Sequence, residues 1–152
     1  MLKQDAPVRA AAQISGDLPH SDLSGLITFT QLARGVLVQA NVCGLPQNEN
    51  GNAVFALHIH EGTECTGNAE DAFANAGGHY NPSGTMHPYH AGDLPPLFTN
   101  GSCAAMSVIT ERFTVDEING RTIIIHANPD DFTSQPSGNA GKKIACGKIF
   151  MR

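Results

Sequence analysis

Long apolar runs are missing from this chain. No stretch approaches the roughly 18 residues that a membrane-spanning helix needs, so a transmembrane reading is excluded. Positive charge is scarce as well: 9 Lys and Arg stand against 14 Asp and Glu, a net charge of −5. That balance argues against nucleic acid or an anionic membrane as a partner. The four cysteines, Cys43, Cys65, Cys103 and Cys146, include no Cys-x-x-Cys pair, which disfavours a thiolate zinc knot. Their even number and wide spacing allow two disulfides, although a reducing cytosol would disfavour each. Repeats and low-complexity segments are absent. The stretch Met1–Gly16 has no apolar core of the kind a signal peptide carries. The expectation is a cytoplasmic protein, with a secreted or periplasmic one as the alternative if a leader has been removed.

What is present fits one globular domain over residues 1–152, with 41% hydrophobic and 15% charged residues. Sixteen glycines and nine prolines suit short strands joined by loops. The apolar runs are short and rich in β-branched residues. They read Val8–Ile14, Leu26–Gln31, Val36–Cys43, Ala53–His60, Cys103–Ile109, Thr122–His126 and Lys143–Phe150. Asp93–Phe98 is a further candidate, weakened by Pro95 and Pro96. Partial alternation in Leu26–Gln31 and Val36–Cys43 is that of half-buried strands, and Ala33-Arg34-Gly35 is a tight turn between them. About eight short strands imply an all-β antiparallel sandwich or barrel. Gln47–Asn52 reads as a polar loop, and Thr114-Val-Asp-Glu117 as a capping box that starts one helical turn over 115–119. Two irregular stretches, 61–92 and 127–141, are too long for simple turns, and loops of that length in compact domains are usually functional.

Histidine is concentrated. Six of the seven histidines fall between His58 and His126, leaving only His20 outside that window. His58 and His60 sit two apart in a strand, so both point to one face, roughly 7 Å apart. His126 ends another strand of the same type. His79, His87 and His90, followed by Asp93, lie in and beyond the first long loop. Three imidazoles and a carboxylate make a good tetrahedral zinc set. A single loop histidine is ordinarily just solvated. The joint pattern points to metal, because independent histidines would not leave the rest of the chain nearly empty of them.

Five segments in order carry a resemblance to a known family. They are Leu57-His-Ile-His-Glu61, Gly78-His-Tyr-Asn-Pro82, His90-Ala-Gly-Asp93, Gly120-Arg-Thr-Ile-Ile-Ile-His126 and Gly138-Asn-Ala-Gly-Lys-Lys-Ile-Ala-Cys-Gly147. The chain resembles the copper/zinc superoxide dismutases over nearly its whole length. The resemblance implies an eight-stranded antiparallel Greek-key β-barrel, flattened into a sandwich, with two long functional loops. It implies copper held by His58, His60, His79 and His126, and zinc held by His79, His87, His90 and Asp93. His79 would bridge both ions and supply a proton as copper cycles between Cu(II) and Cu(I). The implied reaction turns two superoxide anions and two protons into dioxygen and hydrogen peroxide, an antioxidant activity. Asp130 matches an outer aspartate that links His58 to His87. Cys65 and Cys146 match the family disulfide, which persists even in reducing cytosol. Cys43 and Cys103 have no family counterpart, and either a second cross-strand disulfide or two buried apolar thiols would fit. The partners implied are the superoxide anion, a second copy in a homodimer, and a copper-delivery protein. Family members also occur as monomers.

The chain departs from the family where the anion enters. The residue three before the last cysteine is usually arginine; here it is Lys143, preceded by Lys142. A guanidinium holds an anion in fixed geometry, whereas an ammonium is a compact, mobile charge. The expectation is that attraction survives and exact docking weakens. Ser137 stands where the family often has threonine beside the channel. The loop 127–141 is short and poor in charge, with Asp131 read as a solvated residue. Three rival readings are a non-catalytic metal-binding relative, a binuclear zinc hydrolase and a structural zinc domain. The first would have lost a copper ligand, the second needs a carboxylate-rich site, and the third needs no histidines at strand positions facing an open site.

Overall fold

In the computed structural model, residues 7–49, 51 and 53–152 are described. Residues 1–6, and Asn50 and Asn52 of the polar loop, lie outside them. Nine strands form one antiparallel sheet: β1 Arg9–Gly16, β2 Ser24–Gln31, β3 Val36–Cys43, β4 Val54–Phe55, β5 Leu57–His60, β6 Leu97–Asn100, β7 Cys103–Thr110, β8 Thr122–His126 and β9 Lys143–Met151. One helical turn, α1 Val115–Ile118, interrupts them. The strand order is β4-β6-β7-β3-β2-β1-β9-β8-β5. The first and last strands of that order are consecutive in the chain, separated only by Ala56. The sheet therefore curls until its two ends meet, giving a nearly closed barrel. Pairings of β3 with β7 and of β1 with β9 join segments distant in sequence, as a Greek key does.

The count is nine rather than eight because the run Ala53–His60 breaks at Ala56 into β4 and β5. The candidate Asp93–Phe98 is not a strand as a unit. The strand begins at Leu97, after both prolines, which have no N–H for a ladder. The helical turn has its capping box, with Thr114 accepting from Glu117 N and the Glu117 carboxylate accepting from Thr114 N.

Side-chain alternation decides what faces the core. In β3, Val36, Val38, Ala40 and Val42 are buried while Gln39, Asn41 and Cys43 are exposed. The barrel interior packs these against Ile14, Ile27, Phe29, Leu57, Ile59, Ile123, Ile125 and Ile149. Strands β5 and β8 differ, since every residue of both is buried. Their inward faces are Leu57, Ile59, Ile123 and Ile125. Their outward faces carry His58, His60, Ile124 and His126, and the two long loops cover them. Ile124 packs with Phe73, Ala76 and Cys146 in a small satellite cluster, with Cys65 against it. The site thus lies on the outside of the barrel wall, beneath the loops.

Candidate metal centre

The first long loop returns its histidines to β5 through backbone hydrogen bonds. Tyr80 N donates to Ile59 O (2.8 Å), Ile59 N to Gly92 O (2.9 Å) and Gly92 N to Tyr80 O (2.9 Å). His79 is thereby bridged to His60, and Asp93 to His58. A side chain at position 92 would bring its Cβ within 2.2 Å of Ile59 O, so this approach requires glycine.

Two clusters of buried ligand atoms result: His58, His60, His79 and His126, and then His79, His87, His90 and Asp93, each with its atoms within 4.8 Å of one another. These are the two sets, sharing His79, that the family resemblance implies. In four of the six rings the outer nitrogen is tied down. His60 Nδ1 donates to Gly77 O (2.8 Å) and His126 Nδ1 to Gly141 O (3.2 Å). His58 Nε2 and His87 Nε2 donate to the two oxygens of Asp130, at 2.7 and 2.8 Å. The acceptors can only accept, so the hydrogens sit on those nitrogens and the opposite nitrogens carry lone pairs.

Those lone pairs converge. His60 Nε2 and His126 Nε2 are 3.2 Å apart with both hydrogens committed elsewhere. His58 Nδ1, His79 Nε2 and His87 Nδ1 are buried without a hydrogen-bond partner among the protein's atoms. On its other side, His79 Nδ1 stands 2.8 Å from Asp93 Oδ1 and 3.2 Å from His90 Nδ1. Buried lone pairs facing one another repel unless a cation lies among them. The donor set therefore fits two ions with His79 contributing one nitrogen to each.

The local electrostatics agree. Burial, followed by the neighbouring His58, lowers the His126 pKa to about 3. Burial also lowers His58 and His90, and takes His60 well below the usual imidazole range. These rings are neutral at pH 7, as ligands must be. Burial alone would raise Asp130, but hydrogen bonds from His58 and His87 outweigh it and keep the carboxyl well below its ordinary range. Asp93 is lowered in the same way, burial being overcome by His79.

The family model for copper/zinc superoxide dismutase matches residues 23–149. The chain belongs to the copper/zinc superoxide dismutase family. Superoxide dismutase [Cu-Zn] 2 of Aquifex aeolicus is 38% identical over 145 residues, covering 86% of this chain and 81% of that protein. The Legionella pneumophila superoxide dismutase [Cu-Zn] is 33% identical over 133 residues, covering 82% of this chain and 76% of that one. The solved Cu/Zn superoxide dismutase from Brucella abortus superposes with a TM-score of 0.77 over 92% of this chain and 98% of its own; at 24% identity it attests the fold.

Both cysteine pairs are bonded, Cys65 to Cys146 and Cys43 to Cys103, so no cysteine is free. Cys43 and Cys103 are exposed rather than buried apolar thiols. Above the metal centre opens a cavity of about 1280 Å³ that reaches His60, His79, His90 and His126 and is also lined by Ser137, Lys142 and Lys143. His20, unassigned by sequence, lines the same cavity with its Nδ1 on Asp17 Oδ1. Asp131 is exposed and organises its own turn. It accepts from Thr133 N and Ser134 N, both at 2.8 Å, and a hydrogen bond from the Ser134 hydroxyl leads the lowering of its pKa to about 2.

Three contacts have no counterpart in the sequence reading. Gln135 binds the main chain of His87, Arg112 Nη1 reaches the carbonyls of Pro88, His90 and Asp93 at 3.0–3.3 Å, and Asp71 binds Lys143. A lone glutamine, arginine or aspartate in a polar stretch carries no spacing signal, and only the fold brings them to their partners.

Proposed function

We propose that this protein is a superoxide dismutase that converts two superoxide anions and two protons into dioxygen and hydrogen peroxide. The observation that carries the reading is His79, whose two ring nitrogens face different clusters of buried donors. Copper would be held by His58, His60, His79 and His126, and zinc by His79, His87, His90 and Asp93. When bound, copper supplies the one-electron couple that zinc lacks, and zinc is redox-inert. The protein's own groups do the rest. His79 Nε2, one of the three buried nitrogens without a protein partner, is placed to hold one proton and pass it to the product. His60 and His126 border the cavity, so a small anion reaches them from solvent, while His58 is fully buried and fixed by Asp130. Lys143 lines the same cavity, its ammonium paired with Asp71.

Metal analysis followed by superoxide-consumption assays with and without added copper tests the assignment. Activity that rises with copper loading is expected; none in a fully loaded sample would end it.

No helix among the described residues is long and apolar enough to cross a membrane. For the compartment, the secreted or periplasmic alternative is favoured over the cytoplasm. An exposed disulfide such as Cys43–Cys103 persists best in an oxidising environment. Cell fractionation of the native host settles it, and recovery with the cytosolic markers would refute it.

A further inference from the structure

Lys143 is the cross-strand partner of His126, at the point where the β8–β9 register shifts. Its ammonium is therefore built into the rim of the metal centre. It does not face the cavity free. Asp71 Oδ2 accepts from Lys143 Nζ at 2.5 Å, with the two side chains 36% and 16% exposed. The carboxylate is itself held: Asp71 Oδ1 accepts from Phe73 N (3.0 Å), and Asn68 Oδ1 accepts from Asp71 N (3.0 Å). Phe73 packs with Ile124 and Cys146, and Cys65, disulfide-bonded to Cys146, lies against that cluster. The segment that carries Asp71 is thus pinned to the same strand as Lys143. The rest of the rim adds no positive excess. The cavity is lined by Asp17, Glu61, Glu70 and Asp71, four carboxylates, against the ammoniums of Lys142 and Lys143.

We propose that Asp71 is a specificity-determining residue that masks the Lys143 ammonium and so lowers the cavity's affinity for small monoanions, superoxide among them. The reasoning is electrostatic. A cation in contact with a fixed carboxylate presents a dipole to the cavity, and the field of a dipole falls off faster than that of a charge. A lysine also has a flexible four-carbon stem, so an ammonium released from Asp71 can turn toward an entering anion. For superoxide the inference rests on the function proposed above. For anions in general it rests only on the geometry.

The test compares the copper- and zinc-loaded protein with its Asp71→Asn and Glu70→Gln variants. Asparagine keeps an oxygen for Phe73 N while removing the charge. Glu70→Gln removes a neighbouring cavity carboxylate. Azide serves as the monoanion probe, and its dissociation constant is read from the absorption spectrum, which needs no turnover. Asp71→Asn is expected to tighten azide about threefold or more, with a steeper loss of affinity as salt is raised. Glu70→Gln should give a clearly smaller gain. In a Lys143→Met background, Asp71→Asn should also gain clearly less, because no ammonium remains to be released. Equal gains in the two backgrounds, an equal gain from Glu70→Gln, or no tightening at all would overturn the proposal. Tighter azide in a loaded protein that consumes no superoxide would uphold it and sink the dismutase reading instead.

Discussion

Gln135 grips the peptide of His87 from both sides, its Nε2 donating to His87 O at 2.7 Å and its Oε1 accepting from His87 N at 2.9 Å. With Asp130 on the ring of the same histidine, the loop after β8 fixes both the backbone and the imidazole of one residue in the loop after β5. Replacing Gln135 by alanine removes both amide contacts and leaves every ligand in place. Zinc affinity, measured by competition with a chelator, should fall about tenfold, and the thermal midpoint should drop modestly. Unchanged affinity would show that Asp130 and Asp93 alone suffice.

Gly138 tests the Asp130 bridge sterically. Its φ is +69°, and a Cβ there would lie 2.0 Å from Asp130 Oδ1 and 2.7 Å from His87 Nε2. Gly138→Ala should cost about 1–3 kcal/mol from the backbone conformation alone, and displace Asp130 from His87 besides. Denaturant unfolding and metal content together check this. A fully metallated, equally stable variant would contradict the packing.

The metal-free protein should lose stability steadily as pH falls from about 6.5. His126, lowered to about 3, and the lowered His58, His60 and His90 stay unprotonated in the fold while the unfolded chain takes up protons. The unfolded state then binds more protons, so stability declines with falling pH by about 1.4 kcal/mol per pH unit for each such histidine. Asp93 and Asp130, whose pKa values are also depressed, add to the loss below about pH 4. Calorimetry of the metal-free protein between pH 7.5 and 4 should give a falling midpoint; a flat profile would contradict the burial of these rings.

The Cys43–Cys103 bond closes a separation of 60 residues at one end of the β3–β7 pairing, between two residues that are not in either ligand cluster. In the chain-entropy picture such a closure contributes about 4 kcal/mol. The double variant Cys43→Ser, Cys103→Ser should therefore unfold at markedly lower denaturant while retaining its copper and zinc. Loss of metal at low temperature, with the fold intact, would mean that the bond shapes the site itself.

Much of this was legible in the chain. β3 and β8 have the bounds that their β-branched runs suggest, because alternation in β3 and a continuous apolar run ending at His126 in β8 each encode burial directly. That the histidines gather at one site was legible because histidine is rare elsewhere; their division into two sets sharing His79 was only what the family resemblance implied. The break at Ala56 was not, since Ala53–His60 reads as one unbroken run and only barrel closure divides it. The Asp71–Lys143 pair, 72 residues apart, was invisible for a different reason: it depends on how a loop folds back, and no periodicity marks that.

The hydrogen bonds that bring His79 and Asp93 to β5 have a second role. β5 is the last strand of the sheet, and the backbone of residues 80 and 92 occupies the groups of Ile59 that would otherwise face outward. Unpaired strand backbone of that kind is a template onto which another chain can add. The loop that gathers the zinc ligands is therefore also a guard against self-association, since lifting it from β5 would open a strand edge to another chain while the rest of the barrel stayed paired.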